Sequence, residues 1–502
     1  MQVFENFINT INNYIWSTAL IVVLVAVGLY FTIMTKGIQF RCFKDMFKNL
    51  KEKDLDGKNV SLSPYEAFAT TVGTRVGTGN IAGVATAIFF GGPGAVVWMW
   101  LIALIGAATS VIETLLGQAY KDELGGELVG SPAYYMQRGL KARWLGILFA
   151  IATILGPAFL MASMQSYTTC SALNGALHVP MMAIAVVLTI LTALVVLGGI
   201  KRIGEVAAFI SPIMCAVYLL IGLVIFVVNI TKVPETIALM FRCAFGAEAA
   251  FGGIVGSMIS WGIKRGVYSN DAGDGMGPIL SSTAETAHPV KQGLVQGLSV
   301  YIDTILVCSI TAFSILLSGT YNVSDGASGL LVEGAPDIEY GVLYMEEAAS
   351  KVFGGHSIGA ILIAVILATF VFSTLISYAY QLESSCKFIF GNNKVVITIG
   401  RILFLFCVLT GGFISGAAIW AMADTGAGMM AWLNILAIVL LSPKAFRIVK
   451  DYDKQKKAGL DPLFDPATVG IDDPHGVWDH YVQKKKARGD YENAALGYDI
   501  KR

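Results

Sequence analysis

Long apolar runs alternate with short polar ones along this chain. Eleven runs reach the 18 or so residues that cross a bilayer as a helix, near 16–34, 64–90, 94–120, 144–171, 178–198, 206–229, 247–285, 293–318, 356–384, 393–410 and 413–442. The pattern predicts an all-α, polytopic membrane protein of about eleven transmembrane helices. Two runs break their own pattern. The second is interrupted by Gly73, Gly77, Gly79 and Asn80, residues that favour helix poorly. The seventh is too long for one straight span, and Asn270, Asp271, Gly273, Asp274, Gly275, Gly277 and Pro278 unwind its middle. In hydrocarbon every backbone N–H and C=O needs a partner, so a broken helix survives only inside protein or against an aqueous cavity.

With the first span set aside, the two breaks fall in the first helix of each five-helix half. That placement points to a 5+5 inverted repeat, although the halves show no plain sequence similarity. Half-helix ends offer free amides to a carboxylate and free carbonyls to a small cation. The breaks therefore mark a mid-membrane binding site of a secondary transporter. The chain divides into an extra helix with a basic loop (1–63), a ten-helix core (64–443) and a charged tail (444–502).

Charge adds sidedness. If the tail lies in the cytoplasm, sixteen Lys and Arg residues of the loops fall on that side and three (Lys232, Arg242 and Lys351) on the other. This is a strong positive-inside bias, which places the protein in the cell membrane with a cytoplasmic C-terminus. The 319–355 loop is acidic and rich in Gly and Ser, and reads as a solvated connector rather than a lid. The tail, which carries KKKAR near its end, reads as a solvated face. The N-terminus has neither a positive n-region nor a small-residue cleavage site, so it is not expected to be a removable signal peptide.

Composition agrees with the pattern: 55% of the residues are hydrophobic, 14% are charged and the mean hydropathy is +0.66. Zero net charge gives no field for nucleic acid. The seven scattered cysteines lack metal-ligand spacing and read as small buried hydrophobes. No metal cluster, nucleophile elbow or Walker motif suggests an enzyme. The partners expected are a small amino acid and the lipid bilayer; the sequence leaves the oligomeric state open.

Several stretches resemble the alanine-or-glycine:cation symporter family: GTGNIAGVATAI with GGPGA and WMW, GIKRGVYSN followed by HPVKQG, YIDT, and DPLFDP in the tail. The resemblance runs over nearly the whole chain. It implies the broken-helix fold of the sodium-coupled leucine transporter and sodium-driven uptake of small amino acids. It also implies a sodium site from Ser373 and Thr374, in FVFSTLISYAY, with the carbonyls of Gly73 and Val76. Back-bonding of the two hydroxyls to their own helix is the plainer reading of that pair.

Thr78, Gly79 and Asn80 would present the substrate-binding amides of the first break, unless the glycines serve only tight packing. Gln165 aligns with a family glutamine expected to touch substrate, although its flank differs, with Ala162-Ser163 and Tyr167 replacing Gly-Asn and Asn. Asp274, Gly275 and Met276 stand at the second break, where SNDAGDGMGP replaces the family's SNEAGMGS, and Tyr378 stands where the family has Trp. An acid at membrane depth is a functional candidate by default. Asp274 could meet a substrate ammonium, a cation or a proton, or else pair with Arg75, Lys264 or Arg265. Asp303 and Asp424, also in apolar spans, read as packing or ion-pair groups. The alternatives to a sodium/alanine-class symporter are a proton-coupled carrier and a sodium symporter for a larger polar amino acid such as serine or glutamine.

Overall fold

The computed structural model describes residues 2–52, 62–246, 248–327, 329–413 and 416–487. Each apolar run becomes helix. Seven of the helices are long and apolar enough to cross a membrane. The remaining four expected spans are the two broken ones, Met181–Val196 and Lys394–Thr410, the last two a residue or two short of that length.

Helices Met181–Val196, Gly199–Val228 and Lys394–Thr410 turn residues such as Val187, Leu194, Phe209, Leu220, Ile402 and Phe406 outward. An exposed apolar belt of this size suits lipid rather than water. The inner helices are Ala95–Ala119, Pro289–Ser318 and His356–Phe390. They surround the broken spans, whose residues at the breaks themselves, 70–84 and 265–285, are buried.

The two breaks form for different local reasons. The first helix, Pro64–Arg75, starts on a capping box between Ser63 and Glu66 and ends at Val76, which is extended at ψ 92°. It resumes through a π-helical turn, Gly79–Gly83, into Val84–Gly91. The second, Val255–Asn270, unwinds over three left-handed residues, Asp271, Gly273 and Gly275, and restarts as Met276–Ser281. Two further π-helical segments, Ile154–Met161 and Tyr301–Cys308, flank the breaks.

Sidedness shows in the contacts. Arg41 pairs with Asp453, Lys291 with Asp461 and Lys387 with Glu127, and the Phe464 amide donates to the Ala287 carbonyl at 2.9 Å. The loops grouped with the tail thus share a face with it. At the other end Lys232 and Lys351 donate to the carbonyls of Leu317 and Ser318.

Two expectations about polar segments are corrected. The tail is docked rather than solvated as far as residue 487, the rest lying outside the described residues: Trp478 is 1% exposed and Tyr481 donates to Glu285 at 3.1 Å. Lys121 lies 4.5 Å over the Trp478 ring, and burial pulls its amine down to about 7. The 319–355 loop is folded too. It makes a hairpin of Asn322–Ser324 with Leu330–Glu333 and a helix Val342–Ser350, which packs Tyr344 and Val323 beneath the hairpin against Val84–Gly91. In both cases a few buried aromatic and aliphatic residues anchor an otherwise polar segment.

Candidate functional site

The first break frees a carbonyl by a substitution of partners. In a regular helix the Gly77 amide would donate to the Gly73 carbonyl. Here it donates to the Asn80 side chain at 2.9 Å. The Gly73 carbonyl instead receives the hydroxyls of Ser373 at 2.8 Å and Thr374 at 3.1 Å, from the long helix His356–Phe390. Both hydroxyls also lie within reach of their own helix at the Phe370 carbonyl, at 2.8 and 3.1 Å. Each hydroxyl, with one proton to give, thus has two alternative acceptors, its own helix and the Gly73 carbonyl.

Three oxygens, the Gly73 carbonyl and the Ser373 and Thr374 hydroxyls, consequently meet where the two helices pack closely. A Cβ on Gly73 would come within 2.8 Å of Ser211 Oγ and 3.2 Å of Ser373 Oγ. An oxygen set of this kind suits a hard cation. Val76, the fourth residue expected there, marks the end of the helix.

Beside this cluster lie the candidates for the amino acid. The Thr78 amide donates to Gln165 Oε1 at 3.2 Å, and the Thr78 hydroxyl faces the Met164 sulfur at 3.6 Å. Tyr378 reaches the Gln165 side chain from the helix that carries Ser373. Gly79 packs against Tyr268, whose ring would be 3.3 Å from an added Cβ. The structure thus brings Thr78, Gly79, Gln165 and Tyr378 together with the Ser373–Thr374 cluster.

The remaining candidates are held by the protein itself. Asn80 donates to Asp303 at 2.7 Å while accepting from Gly77, so its amide braces the break. Asp274 accepts from the Met276 amide at 2.9 Å, an Asx turn that leads into the restarted half-helix. Gly275 turns toward Pro132, Phe149 and Asn434, where a Cβ would overlap at 2.7, 2.8 and 3.1 Å. Asp274 has no ion pair with Arg75, Lys264 or Arg265 among the described residues, because Lys264 and Arg265 both pair with Asp424 at 2.8 Å.

Three further groups organise the site, and residue type alone did not single them out. Asp303, which reads as packing in the sequence, accepts from Asn80 at 2.7 Å, Ser269 at 2.7 Å and Thr304 at 2.8 Å. It thereby ties the first break to the end of Val255–Asn270. Gly77 sits between the two halves of the site: a Cβ there would be 2.9 Å from Thr374 Oγ1 and 3.1 Å from Gln165 Nε2. Finally, Arg265 makes a two-pronged bond to Asp424 (3.0 and 2.8 Å) beneath the rings of Trp261, Tyr268 and Trp420. That buried cluster covers the site on the side away from the tail; there Phe90 stacks on Trp261 and Phe89 on Tyr340.

This arrangement of two broken helices and a cross-helix oxygen cluster suits carriage rather than covalent chemistry, and the comparisons with known proteins decide the matter. The pattern defining the sodium:alanine symporter family matches residues 1–466. The chain belongs to that family. It is a multi-pass membrane transporter of amino acids and not an enzyme. It is 37% identical over 413 residues to the "Sodium/proton-dependent alanine carrier protein" of Bacillus sp. strain PS3, covering 82% of this chain and 92% of that one. It is 38% identical over 465 residues to the "Probable sodium/glutamine symporter GlnT" of Bacillus subtilis, covering 92% and 94%. Among solved structures, a mutant of the manganese transporter of Eremococcus coleocola superposes with a TM-score of 0.51 at 13% identity, over 87% of this chain and 93% of that one. At that identity the likeness speaks for the fold alone.

Proposed function

We propose that this protein couples inward sodium movement to uptake of a small neutral amino acid of the alanine or glycine class by alternating access. The observation that carries the reading is the Gly73 carbonyl, released by the first break and met by the Ser373 and Thr374 hydroxyls. Sodium bound there would draw Pro64–Arg75 against His356–Phe390. The substrate carboxylate would take the amides of Thr78 and Gly79, and its ammonium group the oxygens of Gln165 and Tyr378. Asp274, Gly275 and Met276 would form the facing wall.

Opening toward the outside would require the Arg265–Asp424 cluster to part, with the tail face cytoplasmic. Relatives named as a sodium/proton-dependent alanine carrier and a sodium/glutamine symporter support the coupling class and add one alternative substrate, glutamine, and one alternative ion, the proton.

Asp274 offers the sharpest test of substrate class. It stands where the family has Met, and its carboxylate holds the amide of Met276. A panel of amino acids competing with radiolabelled alanine for sodium-driven uptake should rank alanine and glycine first. Asp274→Met should move that preference further toward apolar side chains, and Asp274→Asn should hold it. Glutamine outranking alanine in the parent would replace the alanine-class reading.

A further inference from the structure

We infer a proton-binding site at Glu113, on the tail side of the first break, distinct from the Ser373–Thr374 cluster. Glu113 is fully buried in helix Ala95–Ala119. Its Oε2 accepts from the Asn434 amide at 2.8 Å, and the same amide holds the Gly273 carbonyl of the second break at 2.9 Å. The Gly273 amide lies near the carboxyl as well, yet Oε1 itself has no hydrogen-bond partner among the described residues.

That free oxygen points toward Gly277 of the restarted half-helix, where a Cβ would stand 3.9 Å from it and 3.1 Å from Arg75 Nη2. Arg75 is buried too. It bonds Ser110, Ser299 and the Gln296 carbonyl, and forms no ion pair with a carboxylate among the described residues. A carboxyl and a guanidinium thus flank Gly277 from two helices. The other titratable groups facing Glu113 are Asp271 and Asp274 from the second break and Tyr135 from helix Pro132–Arg138.

Two features favour a proton over a second metal ion. A guanidinium beside the free oxygen repels a cation that keeps its own charge, whereas a proton neutralises the carboxylate in place. A metal ion also needs a cage of oxygens, and among the described residues no cluster of acidic, His or Cys groups could supply one. A row of buried polar groups surrounds the tail-side end of the Glu113 helix. Thr114 Oγ1, Gln118 Oε1, the Gln292 amide and Gln296 Nε2 all lack partners among the described residues. Buried groups of this kind take their partners from water.

The consequence is a clamp. Charged Glu113 and Arg75 attract across Gly277 and hold Met276–Ser281 in place. A proton taken from water onto Oε1 cancels the attraction and lets the half-helix swing.

The full chain in liposomes containing a trapped pH dye tests this, given a sodium gradient and radiolabelled alanine. The wild type should acidify the lumen in step with alanine uptake. Glu113→Gln should lose the acidification per alanine carried and the pH dependence of uptake. Glu113→Asp should keep both with a displaced pH midpoint. Acidification by Glu113→Gln at the wild-type ratio would overturn the site. If Glu113→Gln fails to fold, an unmoved midpoint in Glu113→Asp would overturn it instead. The inference rests on the transport reading, which the alanine counts test separately: a wild type carrying alanine on sodium without acidification removes the proton site alone.

Discussion

Gly77 shows how much of this site depends on single atoms. Its backbone runs between a candidate cation ligand and a candidate substrate ligand, with no space for a methyl group on either side. Gly77→Ala keeps an allowed backbone but must displace both Thr374 Oγ1 and Gln165 Nε2. We expect the sodium and alanine concentrations for half-maximal uptake to rise together by about fivefold, as for loss of one polar contact of ~1 kcal/mol. The protein should remain folded. Separate sodium and alanine titrations check this, and wild-type values for both would exclude the geometry.

At this scale the sequence was readable where a residue type is rare for its depth. The family resemblance singled out Ser373, Thr374 and Gln165, and all three side chains contact the first break. Asn80 bonds Gly77 and Asp303, and Gly275 packs against Pro132, Phe149 and Asn434, because what a polar amide or a glycine does depends on which neighbours close on it. The role of Asp303 was hidden for the same reason, since its three donors come from separate segments.

The helices and breaks were legible because both rest on local rules. Apolar runs longer than a bilayer set the spans, and glycine-rich interruptions mark where those spans must unwind. The tail and the 319–355 loop were misread. Their anchors, Trp478 and Tyr344, are isolated residues in polar surroundings, and what buries them lies far away in sequence.

Two predictions belong to elements. Asp424 neutralises two buried cations, so Asp424→Asn strands both. It should cost about 3 kcal/mol or more, seen as a clear fall in the thermal midpoint of the detergent-solubilised protein, whereas an unchanged midpoint would show the cluster to be dispensable.

The second concerns Glu346, on the loop helix outside the spans, whose carboxyl burial pushes up to about 7. A group with a raised folded-state value binds protons that the unfolded chain releases. Its folded form is therefore favoured at low pH and weakened as pH rises from about 4.5 to above 7. The thermal midpoint should fall across that window, and Glu346→Gln should flatten the fall. A parallel profile in the variant would remove Glu346 as the cause.

For the molecule as a whole, two seals enclose one site. The Arg265–Asp424 cluster closes it on the loop side, and the clamped half-helix with the docked tail closes it on the other. Neither seal could be read from residue types alone, because each joins segments more than 100 residues apart. The arrangement suits a carrier caught between openings, and its central claim is that sodium at the Gly73 carbonyl drives the cycle. The most direct measurement is sodium-dependent alanine uptake into proteoliposomes by the parent and by Thr374→Ala, each under a sodium gradient and under a proton gradient alone. The account predicts no uptake by the parent without sodium and a half-saturating sodium concentration about fivefold higher in Thr374→Ala. Undiminished parent uptake on the proton gradient alone, or an unchanged sodium requirement in Thr374→Ala, would contradict it.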